Sequence, residues 1–335
     1  MSERRSHVLV TGATGLAGSH TVRALLDAGH RVRALVRNPD KARRVFKGQE
    51  GPLENVPGDI NDITSVRNAL SGCDAVIHCA AIVSINAPSP ETLIETNVSG
   101  VHNVVGTAVE QGLERIIHVS SLATLFRGDG TTISESSEPQ ESKHAYGHSK
   151  TLAERYVRQL QAEGHPVKIT YPSAIIGPDD PGLTESMVGI QTWIRDFVPL
   201  TTAGMQFIDA RDLAIAHVRM VEAEPGPGRY LVAGTFLPWL EIANVIEATT
   251  GRRPRTIRFP APLLRGLGRL LDLIRYVIPV ELPLSAEAAK YVTKWDPVPN
   301  SKALEAMGVR FRDVSESIGD AARWLREAGY LDRKR

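Results

Sequence analysis

Near its start the chain reads His7-Val8-Leu9-Val10-Thr11-Gly12-Ala13-Thr14-Gly15-Leu16-Ala17-Gly18. A short apolar, β-forming run ends at Thr11-Gly12. Helical periodicity follows, with Val22, Leu25 and Leu26 on one face before Gly29. Strand, glycine-rich turn and helix are expected in that order. Gly12 permits a tight turn, Gly15 lets the backbone approach a phosphate, and Gly18 lets helix and strand pack closely. The N–H groups and positive end of the helix complete an anion site. Thr14 and Leu16 share this turn and join the three glycines as expected pyrophosphate contacts. The spacing, G-x-x-G-x-x-G, is one residue wider than the G-x-G-x-x-G fingerprint.

Alternation continues downstream. Arg31–Val36, Leu53–Pro57, Asp74–His78, Arg115–Ser120 and Val167–Tyr171 read as strands, and Ile63–Leu70, Glu91–Glu110 and Ala145–Ala162 as helices. This predicts an α/β fold, a Rossmann-type doubly wound parallel sheet with helices on both faces. After Pro172 the pattern changes, and Gly177-Pro178-Asp179-Asp180-Pro181-Gly182 marks a turn. Phe207–Asp209, Asp212–Glu222 and Tyr230–Val232 read as strand, helix and strand returning to the sheet. Leu237–Thr250 and Val314–Ala328 read as helices. The expected division is a dinucleotide-binding domain over 1–172, with a return segment at about 205–233, and a smaller C-terminal substrate-binding lobe over 173–204 and 234–335.

Composition excludes several classes. A formal net charge of +1 with dispersed basic residues argues against a nucleic-acid partner. Cys73 and Cys79 have no metal or redox spacing and read as reduced thiols, so no metal is expected. No stretch is apolar enough to span a bilayer. Met1–His7 is short, polar and runs into the first strand, so no signal peptide is expected and the cytoplasm is the expected location.

The end of the second strand selects the dinucleotide: an acid there bonds a ribose 2′-hydroxyl, an arginine a 2′-phosphate. The sequence is Arg33-Ala34-Leu35-Val36-Arg37-Asn38, with no acid before Asp40 and with Arg43 and Arg44 near. Arg37 therefore favours NADP(H) over NAD(H). In Gly58-Asp59-Ile60, after the third strand, the Asp59 side chain can reach the adenine, with Ile60 beside it. Ala80 and Ala81 end the fourth strand with small side chains that leave room for the cofactor.

Tyr146-Gly147-His148-Ser149-Lys150 places a phenol and an amine one helical turn apart. A free phenol titrates near ~10, and a neighbouring ammonium lowers that value. Tyr146 can then act as general acid to a carbonyl or base to an alcohol, while Lys150 can also hold a nicotinamide ribose. Ser121 follows a strand at the C-terminal edge of the sheet, where ligands bind in open α/β folds, and can polarise a substrate oxygen. His144 and His148 flank Tyr146 without metal spacing.

Taken together, Thr11-Gly12-x-x-Gly15-x-x-Gly18, Asp59, Ala80-Ala81, Asn97, Ser121, Tyr146 and Lys150 resemble the extended short-chain dehydrogenase/reductase family from about His7 to about Leu231. The resemblance implies Tyr146 as acid/base, Lys150 as ribose-binding and pKa-lowering group, and Ser121 as carbonyl donor. It implies that Asn97, in Asn97-Val98-Ser99-Gly100, supports the active-site backbone or a proton relay. It also implies that Pro172 and Ser173 line the nicotinamide, although Tyr171 stands where many members have Arg. Asp212 in Phe207-Ile208-Asp209-Ala210-Arg211-Asp212 reads as a helix N-cap. Members often pair as homodimers through two helices, here Glu91–Glu110 and Ala145–Ala162.

Within that family the pattern is closest to dihydroflavonol reductase and 3β-hydroxysteroid dehydrogenase-like members. Arg37, the absence of Val-Tyr-Gly after Ser121, and an apolar stretch over Pro260–Leu284 favour an apolar ketone, aldehyde or alcohol over a sugar nucleotide. A nucleotide-sugar epimerase or dehydratase is the alternative, and a non-catalytic NADP-sensing regulator a second. Substrate choice is expected to lie in Pro181–Ala203 and Phe236–Leu284. Leu263, Leu264, Leu267, Leu270, Leu271, Ile274 and Ile278 form a stripe, with Arg265, Arg269 and Arg275 elsewhere. It reads as a helix covering a core or pocket, and peripheral membrane contact is the less favoured reading.

Overall fold

The computed structural model describes residues 5–82, 89–275 and 285–332. In its first half strands and helices alternate: β1 (His7–Thr11), α1 (Leu16–Asp27), β2 (Arg31–Val36), α2 (Pro39–Val45), β3 (Leu53–Pro57), α3 (Ile63–Leu70) and β4 (Ala75–His78). Then α4 (Pro90–Val101) passes through a π-turn at His102–Gly106 into α5 (Thr107–Glu110), followed by β5 (Arg115–Val119), α6 (Ala145–Ala162) and β6 (Val167–Thr170). The second half contains β7 (Ala174–Ile176), α7 (Glu185–Arg195), β8 (Val198–Leu200), β9 (Gly204–Asp209), α8 (Ala210–Glu222), β10 (Gly228–Tyr230) and β11 (Thr235–Pro238). It ends with α9 (Trp239–Thr250), β12 (Thr256–Arg258), α10 (Ala261–Arg275), α11 (Ala286–Lys294), α12 (Ser301–Met307) and α13 (Val314–Glu327).

Seven strands form one parallel sheet in the order β10-β6-β5-β4-β1-β2-β3. Chain order reverses between β1 and β4, which makes their C-terminal ends the crevice where ligands bind in such sheets. Period-two alternation loads both faces. Val8, Val10, Val32 and Ala34 join α1 and α8 on one side. Leu9, Val76, Ile116 and Ile169 join α3, α4 and α6 on the other. Thr11 Oγ1 and His78 Nδ1 share a buried hydrogen bond of 2.7 Å, tying the ends of β1 and β4 together at the crossover.

Several boundaries differ from expectation. The strand over Phe207–Asp209 is not in the main sheet: β9 pairs parallel to β7 and antiparallel to β11. Gly228–Tyr230 is the segment that returns, beside β6. Asp212 is not the N-cap of α8. Asp209 caps it, accepting from the Arg211 amide at 2.8 Å, because the helix starts earlier. Asp212 lies in the first turn, 2.7 Å from Arg312. The Pro260–Leu284 stripe divides, with Leu264 and Leu271 buried and Leu263, Leu267 and Leu270 exposed. Residues 276–284, including Ile278, lie outside the described residues.

Tyr171, standing where the family often has Arg, is wholly buried. Its hydroxyl donates to the Glu154 carboxylate, which also accepts from Arg158 Nε at 2.7 Å, and Arg158 Nη2 donates to the Tyr171 oxygen at 3.0 Å. The carboxylate of α6 is thus neutralised inside the core. Burial, and then the Glu154 charge, push the phenol pKa up, so it remains a donor. Replacing Tyr171 by Phe withdraws one donor from a buried charge. We expect a loss of about 1–3 kcal/mol, measured as a lower midpoint in denaturant. Unchanged stability would contradict this network.

Candidate active site

The glycine turn is held by the Gly15 amide donating to the Gly12 carbonyl at 3.0 Å. Gly12 has φ +68, which disfavours any side chain, and a Cβ there would stand 2.6 Å from the Ala80 nitrogen. A Cβ on Gly18 would collide with the Gly12 carbonyl. The turn is therefore pressed between its own helix and the end of β4. Gly15 is the N-cap of α1 and contributes no side chain, so the first-turn amides of that helix face outward without helical acceptors. This cradle fits a phosphate pair, and Thr14 and Leu16 border it.

At the end of β2, Arg37 is exposed. Lys41, which sequence reasoning passed over, joins it. The Lys41 pKa is lowered by burial, with Arg37 and Arg44 adding to the effect and Asp180 opposing it. Arg43 instead pairs with Asp40. Arg37, Lys41 and Arg44 thus form a cationic group following the end of β2. Asp59 accepts from the Asn61 amide at 2.9 Å and shapes the turn after β3. Ile60 packs against Gly100, where a Cβ would stand 2.5 Å from its side chain, and Asn103 Nδ2 donates to its carbonyl at 2.8 Å. Ala81 follows Ala80 in the half-buried loop after β4.

The chemical groups gather from β4, β5 and α6. Ser121 caps a 3₁₀ turn, its Oγ accepting from the Ala123 amide at 3.2 Å. The same hydroxyl is close enough to the Tyr146 phenol to favour its ionised form. Lys150, buried one turn along α6, sets its Nζ 6.0 Å from the Tyr146 ring centre and donates to the Val119 carbonyl at 3.2 Å. Asn97 grips the backbone of Ile82: Oδ1 accepts from its amide at 2.7 Å and Nδ2 donates to its carbonyl at 3.0 Å. Asn97 Nδ2 also donates to Ser149 Oγ at 2.9 Å, and Ser149 donates to the Tyr146 carbonyl at 2.8 Å. One asparagine thereby joins the loop after β4 to the first turn of α6. Pro172 accepts from the Leu122 amide at 3.0 Å, and Ser173 Oγ donates to the Ala233 carbonyl at 2.6 Å, so that loop borders Ser121.

The electrostatics differ from expectation in one respect. The expected lowering of the Tyr146 phenol by Lys150 is not met. Burial pushes it up to about 12, Glu185 adds to this, and the Ser121 hydroxyl opposes it. The ammonium is turned to Val119 instead of the phenol. Burial also brings Lys150 down to about 8, against the favourable influence of Cys79 and Glu154. At neutral pH the pair is therefore a protonated phenol beside an ammonium. His78 is held down at about 3 by burial, and then by Lys150, so it stays neutral. His148 points elsewhere, 3.8 Å from Glu141. Among the described residues no cluster of His, Cys, Asp and Glu could hold a metal. Glu185, on α7, had no sequence signal, because only tertiary packing brings it near the phenol.

Comparison with known proteins places this arrangement. The NAD dependent epimerase/dehydratase family model matches residues 8–233. The chain is 30% identical to sterol demethylase protein B of Methylococcus capsulatus, over 96% of this chain and 99% of that protein. It is 27% identical to cinnamoyl-CoA reductase 1 of Petunia hybrida, over 97% and 93% respectively. Its fold is similar to the crystal structure of gox2253, with a TM-score of 0.84 and 28% identity, covering 98% of this chain and all of that one. From the glycine cradle through the Ser121–Tyr146–Lys150 cluster to the loop after β10, the chain belongs to the NAD dependent epimerase/dehydratase family.

Proposed function

We propose that this protein is an NADP(H)-dependent oxidoreductase acting on an apolar ketone or aldehyde, or on the corresponding alcohol. The observation that carries the reading is the convergence of Ser121, Tyr146 and Lys150 beside the β1–β4 crevice. Relatives named as reductases support it. The Arg37–Lys41–Arg44 group supports a 2′-phosphate on the cofactor.

A bound dinucleotide would lie with its pyrophosphate on the Gly12–Gly18 cradle and would supply the hydride. The chain supplies everything else. Ser121 Oγ holds the substrate oxygen. Tyr146, protonated at neutral pH, gives that oxygen its proton during reduction and takes it back during oxidation. Lys150, an ammonium at neutral pH one turn along α6, would hold the ribose next to the nicotinamide. Asn97 and Ser149 hold the first turn of α6, and so the phenol, in place. Preorganised donors of this kind lower the barrier because they need no reorientation during the reaction.

Replacing Tyr146 by Phe keeps the ring and removes the proton. Turnover of a carbonyl panel should fall by about a hundredfold or more, with NADPH affinity nearly unchanged. Full activity in the variant would remove the mechanism. In fluorescence titrations the wild type should bind NADPH more tightly than NADH, and the Arg37→Ala/Lys41→Ala variant should lose about tenfold or more for NADPH alone. Equal losses for both cofactors would contradict the assigned 2′-phosphate contact.

A further inference from the structure

Helix α10 is apolar on two sides, and the protein covers one of them. Leu264 and Leu271 are buried. Gly268 lies between them, and a Cβ there would stand 2.6 Å from the Ser285 carbonyl. The Ala286 amide donates to Asp272 at 3.0 Å and Arg265 Nη1 donates to Thr293 at 3.2 Å. These contacts lock α10 against α11. On the outer side Leu263, Leu267, Leu270 and Leu273 are 67%, 44%, 52% and 65% exposed. Their spacing of four, three and three puts them in one strip along successive turns. A single exposed leucine means little, but a contiguous strip marks an interaction surface.

The charge that precedes and accompanies this strip along the chain points to what it meets. Between positions 252 and 275 the chain carries Arg252, Arg253, Arg255, Arg258, Arg265, Arg269 and Arg275 against one acid, Asp272, although the whole chain is only +1. Arg252, Arg253, Arg255, Arg258 and Arg269 are exposed. Arg195, Arg252, Arg253 and Arg255 line an open cavity of about 290 Å³ with Phe197, Asp196 and the exposed Ile257. Glu247 lies 3.6 Å from Arg253 and offsets part of this charge.

We propose that α10 and the basic run before it form a docking surface for a bilayer containing anionic lipids. The leucines enter the boundary between headgroups and acyl chains, and the arginines meet lipid phosphates. Among the described residues no helix is long and apolar enough to cross a membrane, so the contact is interfacial. A second copy of the chain fits less well, since two-fold pairing would set one arginine-flanked strip against another. The docked face is one helix away from the Ser121 loop: Tyr291 of α11 and the following Trp295 each stack on Phe126 at 4.8 Å. The proposal rests on α10 and its arginines and stands apart from the redox reading.

Co-sedimentation with vesicles tests it. One set is phosphatidylcholine, and the other contains about one-quarter phosphatidylglycerol. The wild type should bind the anionic set at low salt, at least about tenfold more weakly to the neutral set, and release in about 0.5 M salt. Leu267→Glu/Leu270→Glu should abolish binding, and Arg252→Gln/Arg253→Gln/Arg255→Gln should weaken it about tenfold or more on anionic vesicles, with circular-dichroism melting unchanged in both. Should glutamates disturb α10, Leu263→Ser/Leu267→Ser reads the same face. Failure of the wild type to bind, or full binding by a well-folded leucine variant, would overturn the proposal. So would a dimer that the leucine variant dissociates in the absence of any vesicle binding, because the strip would then belong to a second copy.

Discussion

The bond from the Lys150 ammonium to the Val119 carbonyl is the contact through which helix and sheet are brought to a common point. A buried ammonium is costly unless it is paired, and at 3.2 Å the last carbonyl of β5 meets that need. The partner fixes where α6 begins relative to the end of the sheet. Once α6 is there, Tyr146 lies one turn back, within hydrogen-bond reach of the serine that follows β5. Behind Lys150, another turn along the same column, Glu154 is neutralised by Arg158 and Tyr171. Both charges on this face of α6 meet a partner inside the fold.

The cofactor side is governed by close approach. Gly12 touches the backbone of Ala80 because the β1–β4 crossover leaves no width for side chains. That crowding and the outward-facing amides of α1 follow from the same turn. The cradle is thus part of the sheet's topology.

Much of this could be read from local pattern. The β1–turn–α1 unit follows from three glycines at fixed spacing. Tyr146 and Lys150 share a face because four residues make one helical turn. Ser121 is placed by the end of a strand. What escaped depended on tertiary placement. Lys41 looks like an ordinary helix-surface residue until α2 turns it toward Arg37 and Asp180. Glu185 comes from α7, distant in sequence from the phenol. Asp209 and Asp212 are both plausible caps in sequence, and pairing of β9 with β7 decides that the helix starts at the first. The stripe on α10 announces an amphipathic helix, but its spacing does not say that Gly268 and Leu271 turn inward while Leu267 and Leu270 turn out. The phenol's pKa departs from the sequence expectation for a related reason. Proximity in the helix suggested a strong ammonium–phenol interaction, whereas the amine spends its hydrogen bond on Val119.

The central claim is that Tyr146 and Lys150 act on a nucleotide lying in the β1–β4 crevice. A crystal structure of the protein with NADPH tests it most directly. The account predicts the Tyr146 hydroxyl beside the nicotinamide ring, within hydrogen-bond reach of a substrate oxygen placed there, and the Lys150 ammonium on the adjoining ribose. A dinucleotide bound away from the Gly12–Gly18 turn, or a phenol directed out of the crevice, would contradict it.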